Sequence, residues 1–159
     1  PGTENVPGIV GFAKATELGL QDMGTKAQHV AGLRDLLIES IEHGIPDVIL
    51  NGPQGTKRSP NNVNFCFRYV EGESILLHLD LLGVAVSTGS SCATHKLEPS
   101  HVLTAIGCSP EDAHGSIRFT LGRYNTQEEV EYVLRVLPDV VQNLRKMSPI
   151  GRGKPESVQ

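Results

Sequence analysis

The sequence contains no tryptophan, and only 4% of its 159 residues are aromatic. Because proteins that bind single-stranded nucleic acids stack the bases on aromatic side chains, this composition argues against such a role. The formal net charge of −4 argues in the same direction, since surfaces that bind nucleic acids are normally basic. The chain also lacks an apolar run long enough to cross a membrane, and no signal peptide opens it. We therefore expect no nucleic-acid or membrane partner and a cytoplasmic location.

Cysteine is scarce as well. Cys66, Cys92 and Cys108 are widely separated and odd in number, and no C-x-x-C motif is present. This pattern argues against a zinc site made by this chain alone and favours a reducing compartment.

An initiator methionine is also missing, since the chain opens with Pro1. We therefore expect a fragment of a longer protein, although the fragment is long enough to bury a core of its own.

Apolar residues at helical spacing predict several helices. The first follows the candidate N-cap residues Thr3 to Asn5, and Gly19 and Gly24 are expected to separate it from the second. Pro138 is expected to kink or split the last helix, because proline lacks the backbone N–H that an interior position needs. Six helices are predicted in all. Three have both bounds assigned, at about 25–42, 71–82 and 99–106, and three are assigned only a start, near residues 6, 109 and 126.

Short or alternating apolar runs predict strands at residues 47–50, 63–68, 84–86 and 116–121. Helices come first, and strands then mix with further helices. This order predicts an α+β fold in which a small, mostly antiparallel sheet is flanked by helices on one face. The polar residues 148–159 are expected to form a loose tail.

The segment 87–101 is the stretch that most suggests chemistry. Cys92 lies among small residues, and Lys96 and a helix that starts near Pro99 follow it. A thiol becomes reactive as its thiolate, which nearby positive charge and a helix N-terminus favour. The alternative, on these residues alone, is a surface loop with an incidental cysteine.

Several motifs together resemble one known family. Ser-Thr-Gly-Ser-Ser-Cys at 87–92, followed by Leu-Glu-Pro-Ser-His-Val-Leu at 97–103, is similar to the active-site loop of NifS/IscS-type cysteine desulfurases. These are pyridoxal-phosphate enzymes related to class V aminotransferases. The spacing between Cys92 and Pro99 resembles the NifS/IscS subgroup rather than the SufS-like one. The resemblance extends to residue 149 and includes the motifs at 1–5, 60–64, 71–74 and 115–123.

The resemblance implies a domain organisation. The chain is expected to be the C-terminal part of a homodimeric desulfurase, with the fold of the C-terminal small domain of a fold-type I pyridoxal-phosphate enzyme. Residues 1–24 would be the end of the large cofactor domain or a linking helix. Residues 25–148 would form the small domain, and residues 149–159 a flexible tail.

The resemblance also assigns roles to individual residues. Cys92 would attack the sulfur of the substrate L-cysteine and carry it as a persulfide to an iron–sulfur scaffold protein or another thiol acceptor, with L-alanine as the other product. A transient iron–sulfur cluster at Cys92 would be compatible with this role. Arg118, which alternates with two apolar neighbours, would bind the substrate carboxylate through its planar fork of donors. Gly2 and Thr3 would bind the cofactor phosphate across the dimer interface.

Other polar residues have weaker signals. His114 and Arg123 match the family pattern and are interpreted as structural, whereas His95 is either a base for Cys92 or a solvated loop residue. Cys66 and Cys108 are interpreted as packing residues. The acidic pair at 128–129 is interpreted as the start of a helix.

The lysine that binds pyridoxal phosphate covalently has no counterpart in this chain. In the family it lies upstream of the Gly-Thr motif, so the chain alone is expected to be inactive. One alternative is a selenocysteine lyase or another class V aminotransferase relative. Another is a module that docks partner proteins and has no catalytic role.

Overall fold

A computed structural model describes residues 2–88 and 99–148. The helices and strands are, in chain order, α1 Val6–Gln21, α2 Met23–Gly44, β1 Val48–Leu50, a 3₁₀ turn Gly55–Lys57, β2 Asn62–Phe67, α3 Gly72–Leu81, β3 Ser87–Thr88, α4 His101–Ala105, α5 Pro110–His114, β4 Ser116–Thr120 and α6 Gln127–Met147.

In the described part of the chain, four strands form one sheet in the order β1-β2-β4-β3. Every neighbouring pair is antiparallel. In the central pair, Val63 lies opposite Phe119 and Phe65 lies opposite Ile117. The predicted α+β fold with an antiparallel sheet is therefore confirmed.

One face of the sheet, which we call the apolar face, is made by Val63, Phe65, Ile117 and Phe119. These side chains are at most 4% exposed, and they pack in one cluster with residues of α2, α3 and α6. Complete burial of each large apolar side chain stabilises the fold by about 1.5–3 kcal/mol. The apolar face therefore fixes α2, α3 and α6 against the sheet.

The other face, which we call the polar face, is made by Asn64, Cys66, Ser116 and Arg118. Successive side chains in a strand point to opposite faces, so these residues point away from the core cluster. Asn64 lies opposite Arg118, and Cys66 lies opposite Ser116. The same alternation that buries the apolar face thus gathers polar side chains on one surface.

Helix α1 makes no contribution to this core. None of its residues is buried, and its large apolar side chains are exposed. Its N-cap is Asn5, whose side chain accepts a hydrogen bond from the N–H of Gly8 at 3.0 Å. The two predicted helices are separate, but the break is at Asp22 and not at the glycines, since Gly19 lies inside α1 and Gly24 inside α2. A helical glycine costs only about 1 kcal/mol, which the buried face of α2 outweighs.

The predicted strand at residues 84–86 is also wrong, since pairing begins only at Ser87. Gly83 adopts a φ of 78° and turns the chain at the end of α3. The N–H of Val84 then bonds to the carbonyl of Leu79, so it is not available to a neighbouring strand. Val84 and Val86 are half-buried against the core cluster, which explains their apolar character without strand pairing.

Helix α6 continues through Pro138 as one helix, so the predicted split did not occur. Its N-terminus has a capping box in which Thr126 and Glu129 satisfy each other's backbone N–H groups. The sequence predicted a cap residue and acids at this helix start, but not the reciprocal pairing. Leu137 and Val141 are buried on either side of the proline. Packing on both sides therefore compensates for the hydrogen bond that proline cannot make.

Two glycines permit close packing near the polar face. A Cβ atom on Gly72 would lie 2.5 Å from the carbonyl oxygen of Ser116, and one on Gly115 would overlap the carbonyl oxygen of Phe67. The start of α3 and the turn before β4 therefore approach the backbone of the sheet more closely than any other residue would allow.

Candidate functional site

Arg118 lies in the middle of β4, on the polar face. Its neighbours Ile117 and Phe119 are buried on the opposite face, so the guanidinium is directed away from the core and is exposed. Across the sheet it lies opposite Asn64 of β2 on one side and Ser87 of β3 on the other. Arg118 is therefore a cation on a central strand whose backbone is paired with a strand on each side.

The guanidinium of Arg118 has no hydrogen bond, ion pair or ring contact within residues 2–88 and 99–148. All the other arginines of this part do: Arg34 and Arg68 bind aspartates, Arg58 and Arg145 bind backbone carbonyls, and Arg123 and Arg135 lie over tyrosine rings. Arginine forms strong bidentate pairs with carboxylates and phosphates. Arg118 is therefore the described arginine that remains available to an anionic ligand.

Beside Arg118, a network of polar groups covers part of the polar face. The side-chain N–H of Asn51 donates to the Asn64 Oδ1 atom at 2.6 Å and to the Cys66 Sγ atom at 3.1 Å. The Cys66 Sγ atom in turn lies 3.4 Å from the Cys108 Sγ atom. Burial raises the pKa of the Cys66 thiol to about 12, so this thiol is protonated at neutral pH.

Sequence reasoning missed this network. Cys66 is fully buried and Cys108 is partly buried, as expected of packing residues, but their contact joins positions 42 residues apart. The alternation of Asn64, Cys66 and Arg68 with apolar residues predicted a half-buried strand. It did not indicate that Asn51, from the end of β1, would bridge Asn64 and Cys66.

The buried side chain of Arg58 holds the connection between β1 and β2. It is 8% exposed and donates to the carbonyls of Asn51, Pro53 and Asn62. Burial, and then the nearby charge of Arg34, lowers the pKa of Arg58. Because Arg58 fixes the backbone of Asn51, it also positions the side chain that organises the network around Cys66.

Cys92, His95 and Lys96 lie outside the described residues. The last described residue before them is Thr88 of β3, which lies opposite Ile117 and next to the Ser87–Arg118 pair. The first described residue after them is Pro99, which leads into α4, where Leu103 is 5% exposed. The segment that contains Cys92 therefore begins beside Arg118.

Gly2 and Thr3 are exposed and precede Asn5, which is the N-cap of α1. Thr3 is therefore not the capping residue. A Cβ on Gly2 would meet nothing within 4 Å. In the described part of the chain, no hydrogen bond joins Thr3 to Arg118; the resemblance placed Thr3 at the cofactor phosphate across a dimer interface, not at the substrate carboxylate.

The remaining polar residues that the sequence singled out lie at helix ends. The acidic pair Glu128 and Glu129 starts α6, and hydrogen bonds at this helix start lower the pKa of both carboxyl groups. This confirms the interpretation from the sequence. His114 is exposed at the end of α5.

The described residues form neither a metal-binding cluster nor a membrane-spanning helix. Residues 2–88 and 99–148 contain no cluster of three His, Cys, Asp or Glu side chains able to hold a metal ion. Over the same ranges, no helix combines the length and apolar character that crossing a bilayer requires.

Comparison with known proteins gives consistent matches. The family model described as Aminotransferase class-V matches residues 1–133. The chain is 57% identical over 148 residues to a cysteine desulfurase IscS of Dictyoglomus turgidum, and the match covers 93% of this chain and 37% of the relative. It is 51% identical over 151 residues to a cysteine desulfurase IscS 1 of Archaeoglobus fulgidus, covering 95% and 39% respectively. The chain thus spans well under half the length of these curated relatives.

Two solved structures of NifS-like proteins have a fold similar to that of this chain. A NifS-like protein matches with a TM-score of 0.75 and 32% identity, over 91% of this chain and 35% of the other. A NifS-like protein from Rickettsia africae matches with a TM-score of 0.74 and 26% identity, over 89% and 36%.

Proposed function

Because the chain belongs to the class V aminotransferase family, we propose that it is the C-terminal part of a pyridoxal-phosphate-dependent cysteine desulfurase. The whole protein would convert L-cysteine to L-alanine and transfer the sulfur to a thiol. The cysteine desulfurases that the chain resembles at more than half of aligned positions support this proposal.

The observation that carries the proposal is the state of Arg118. It is a cation on a rigid central strand, it has no protein partner among the described residues, and it stands beside the start of the segment that contains Cys92. We assign to Arg118 the binding of the substrate carboxylate by two parallel N–H···O hydrogen bonds. Such a pair would orient the amino acid as well as hold it.

Cys92 is assigned the role of nucleophile. Its thiolate attacks the sulfur of the bound cysteine, so that an S–S bond forms as the carbon–sulfur bond breaks. Cys92 then carries the persulfide, and the carbon skeleton, once protonated, leaves as L-alanine. The atoms balance, because one sulfur moves from the substrate to the protein and no oxidant is consumed.

Pyridoxal phosphate fits this chain only in part. Gly2 and Thr3, exposed just before the N-cap of α1, offer backbone N–H groups and a hydroxyl that suit its phosphate. The cofactor, when bound, supplies an electron sink at the substrate carbon. The described lysines lie on α1, α2, the β1–β2 connection and α6, and none is on a strand of the polar face. Because the covalent lysine of the family lies upstream of the Gly-Thr motif, we place it outside this chain and expect the chain alone to be inactive.

The division of the chain into domains that the sequence predicted is part of the same proposal. Residues 1–24 belong to a linking helix or to the end of a cofactor domain, which fits the absence of buried residues in α1. Residues 25–148 form the small domain and residues 149–159 the tail. We further propose a cytoplasmic homodimer whose sulfur acceptor is an iron–sulfur scaffold or another thiol protein. Cys92 would be the contact point for a transient cluster.

The test is the steady-state kinetics of the complete protein with L-cysteine, measured as alanine released. Arg118→Lys keeps the charge but loses the bidentate fork, and we expect KM to rise by about tenfold or more. Arg123→Lys, five residues further on and beyond the end of β4, is the matched control and should leave KM within about twofold. No alanine formation by the unmodified protein, or equal KM values for the two variants, would withdraw the assignment.

A further inference from the structure

Cys66 and Cys108 form a pair of thiols that the proposed reaction does not use. Their Sγ atoms are 3.4 Å apart, one on β2 and the other in the turn after α4. A disulfide bond is about 2.05 Å long, so a small approach of the two sulfurs would suffice to join them. Contact between thiols this far apart in sequence requires the folded structure.

The two thiols differ in a way that defines an order of reaction. Cys66 is fully buried, whereas Cys108 is partly exposed. Burial keeps the pKa of Cys66 at about 12, so Cys66 is a poor first nucleophile at neutral pH. An oxidant from solvent therefore reaches the Cys108 sulfur first, because the Cys66 sulfur is buried.

The surroundings of the pair favour its closure. The side-chain N–H of Asn51 donates to the Cys66 Sγ atom at 3.1 Å, which fixes this sulfur and stabilises negative charge on it. Cys108 follows Gly107, which has a φ of 91° and no neighbouring atom within 4 Å of a Cβ position. The more exposed sulfur thus follows a glycine turn and lies opposite a sulfur that a hydrogen bond holds in place.

We propose that Cys66 and Cys108 are an oxidation site that hydrogen peroxide converts to an intramolecular disulfide. Cys108 attacks the peroxide, breaks the O–O bond and becomes a sulfenic acid, with release of one water. Cys66 then attacks the oxidised sulfur, loses its proton, and a second water leaves. Two electrons pass from the thiols to the peroxide. The inference is independent of the proposed desulfurase activity.

The bond would tie two parts of the fold that border the polar face. Cys66 belongs to the central strand next to Asn64, which is the cross-strand partner of Arg118. Cys108 follows α4, the helix that the chain enters after the segment containing Cys92. Oxidation would therefore fasten one end of that segment to the sheet, and we expect the melting temperature to rise.

The chain is well suited to a peptide-mapping test, because trypsin would place its three cysteines on three different peptides. Cys66 lies on residues 59–68, Cys92 on 69–96 and Cys108 on 97–118. The complete, folded protein would be treated with hydrogen peroxide, digested without reductant and analysed by mass spectrometry. We expect peptide 59–68 linked to peptide 97–118, with loss of two hydrogen atoms and recovery of both peptides on reduction.

Two variants and one condition decide the outcome. Cys108→Ser, at the more exposed and more tolerant position, should abolish the linked peptide while keeping the far-ultraviolet circular dichroism spectrum. Cys92→Ser should leave the linked peptide unchanged. Peroxide treatment in denaturant should yield much less of it, since the pairing depends on the fold. Sulfinic acid at Cys108 without a link, links only to Cys92, or equal yield in denaturant would each overturn the proposal.

Discussion

The two faces of the sheet come from the same strands but are organised in different ways. On the apolar face, Phe65 and Ile117 are completely buried and contribute to a continuous core with α2, α3 and α6. On the polar face, Asn64 is held by a hydrogen bond, and its cross-strand partner Arg118 has no protein partner in the described part of the chain. The comparison indicates that the apolar face builds the core, whereas the polar face leaves one cation, Arg118, without a partner among the described residues.

The largest effect should come from removing a side chain on the apolar face. Phe65→Ala is expected to lower the free energy of unfolding by about 3–5 kcal/mol, because it leaves a cavity in a closed core. The matched change, Arg118→Ala, lies on the opposite face of the paired strand and should alter stability by less than about 0.5 kcal/mol. Urea denaturation measures both values. Similar losses for the two variants would show that the faces do not differ as described.

A smaller effect should come from the buried cation beside the polar face. Arg58→Ala removes charged hydrogen bonds to three backbone carbonyls and is expected to cost about 2–3 kcal/mol. Arg68→Ala, the control, breaks an ion pair whose arginine is 45% exposed and should cost less than about 1 kcal/mol. If Arg58→Ala proved as mild as its control, the polar network would contribute little to stability.

The smallest effect concerns acid. The hydrogen bond from Arg68 is the main cause that lowers the pKa of Asp112 below its ordinary value. A lowered pKa gives stability that is present above the unfolded-state pKa and is lost as pH falls through the folded-state pKa. The difference in unfolding free energy between the natural protein and Arg68→Ala should therefore be constant at pH 5–7, and shrink below about pH 4.

Denaturation curves at several pH values measure this difference. Its size should stay under about 1 kcal/mol, because the pair is open to solvent. A difference that grows on acidification would contradict the assigned cause of the lowered pKa.

Local patterns were sufficient to predict most of the fold. The alternation around Phe65 predicted β2 and its buried face, and Thr126 with the following acids predicted the start of α6. The prediction failed in the segment that follows α3. Val84 and Val86 resemble a strand, but the N–H of Val84 bonds back to the carbonyl of Leu79, and pairing with β4 begins only at Ser87.

The candidate site was predictable to a smaller extent. The alternation around Arg118 predicted that it points away from the core, and the structure agrees. Its lack of a protein partner could not be predicted, because that depends on the placement of every acidic group and carbonyl around it. The contact between Cys66 and Cys108 likewise depends on how α4 returns to the sheet, which no local pattern specifies.

The central claim is that Cys92 accepts sulfur from L-cysteine, and mass spectrometry of the complete protein tests it most directly. After incubation with L-cysteine, we expect one additional sulfur on the peptide of residues 69–96, and none in Cys92→Ser. Alanine should form in step with this modification. Alanine formation without sulfur on Cys92, or the same modification in Cys92→Ser, would contradict the assignment of the nucleophile.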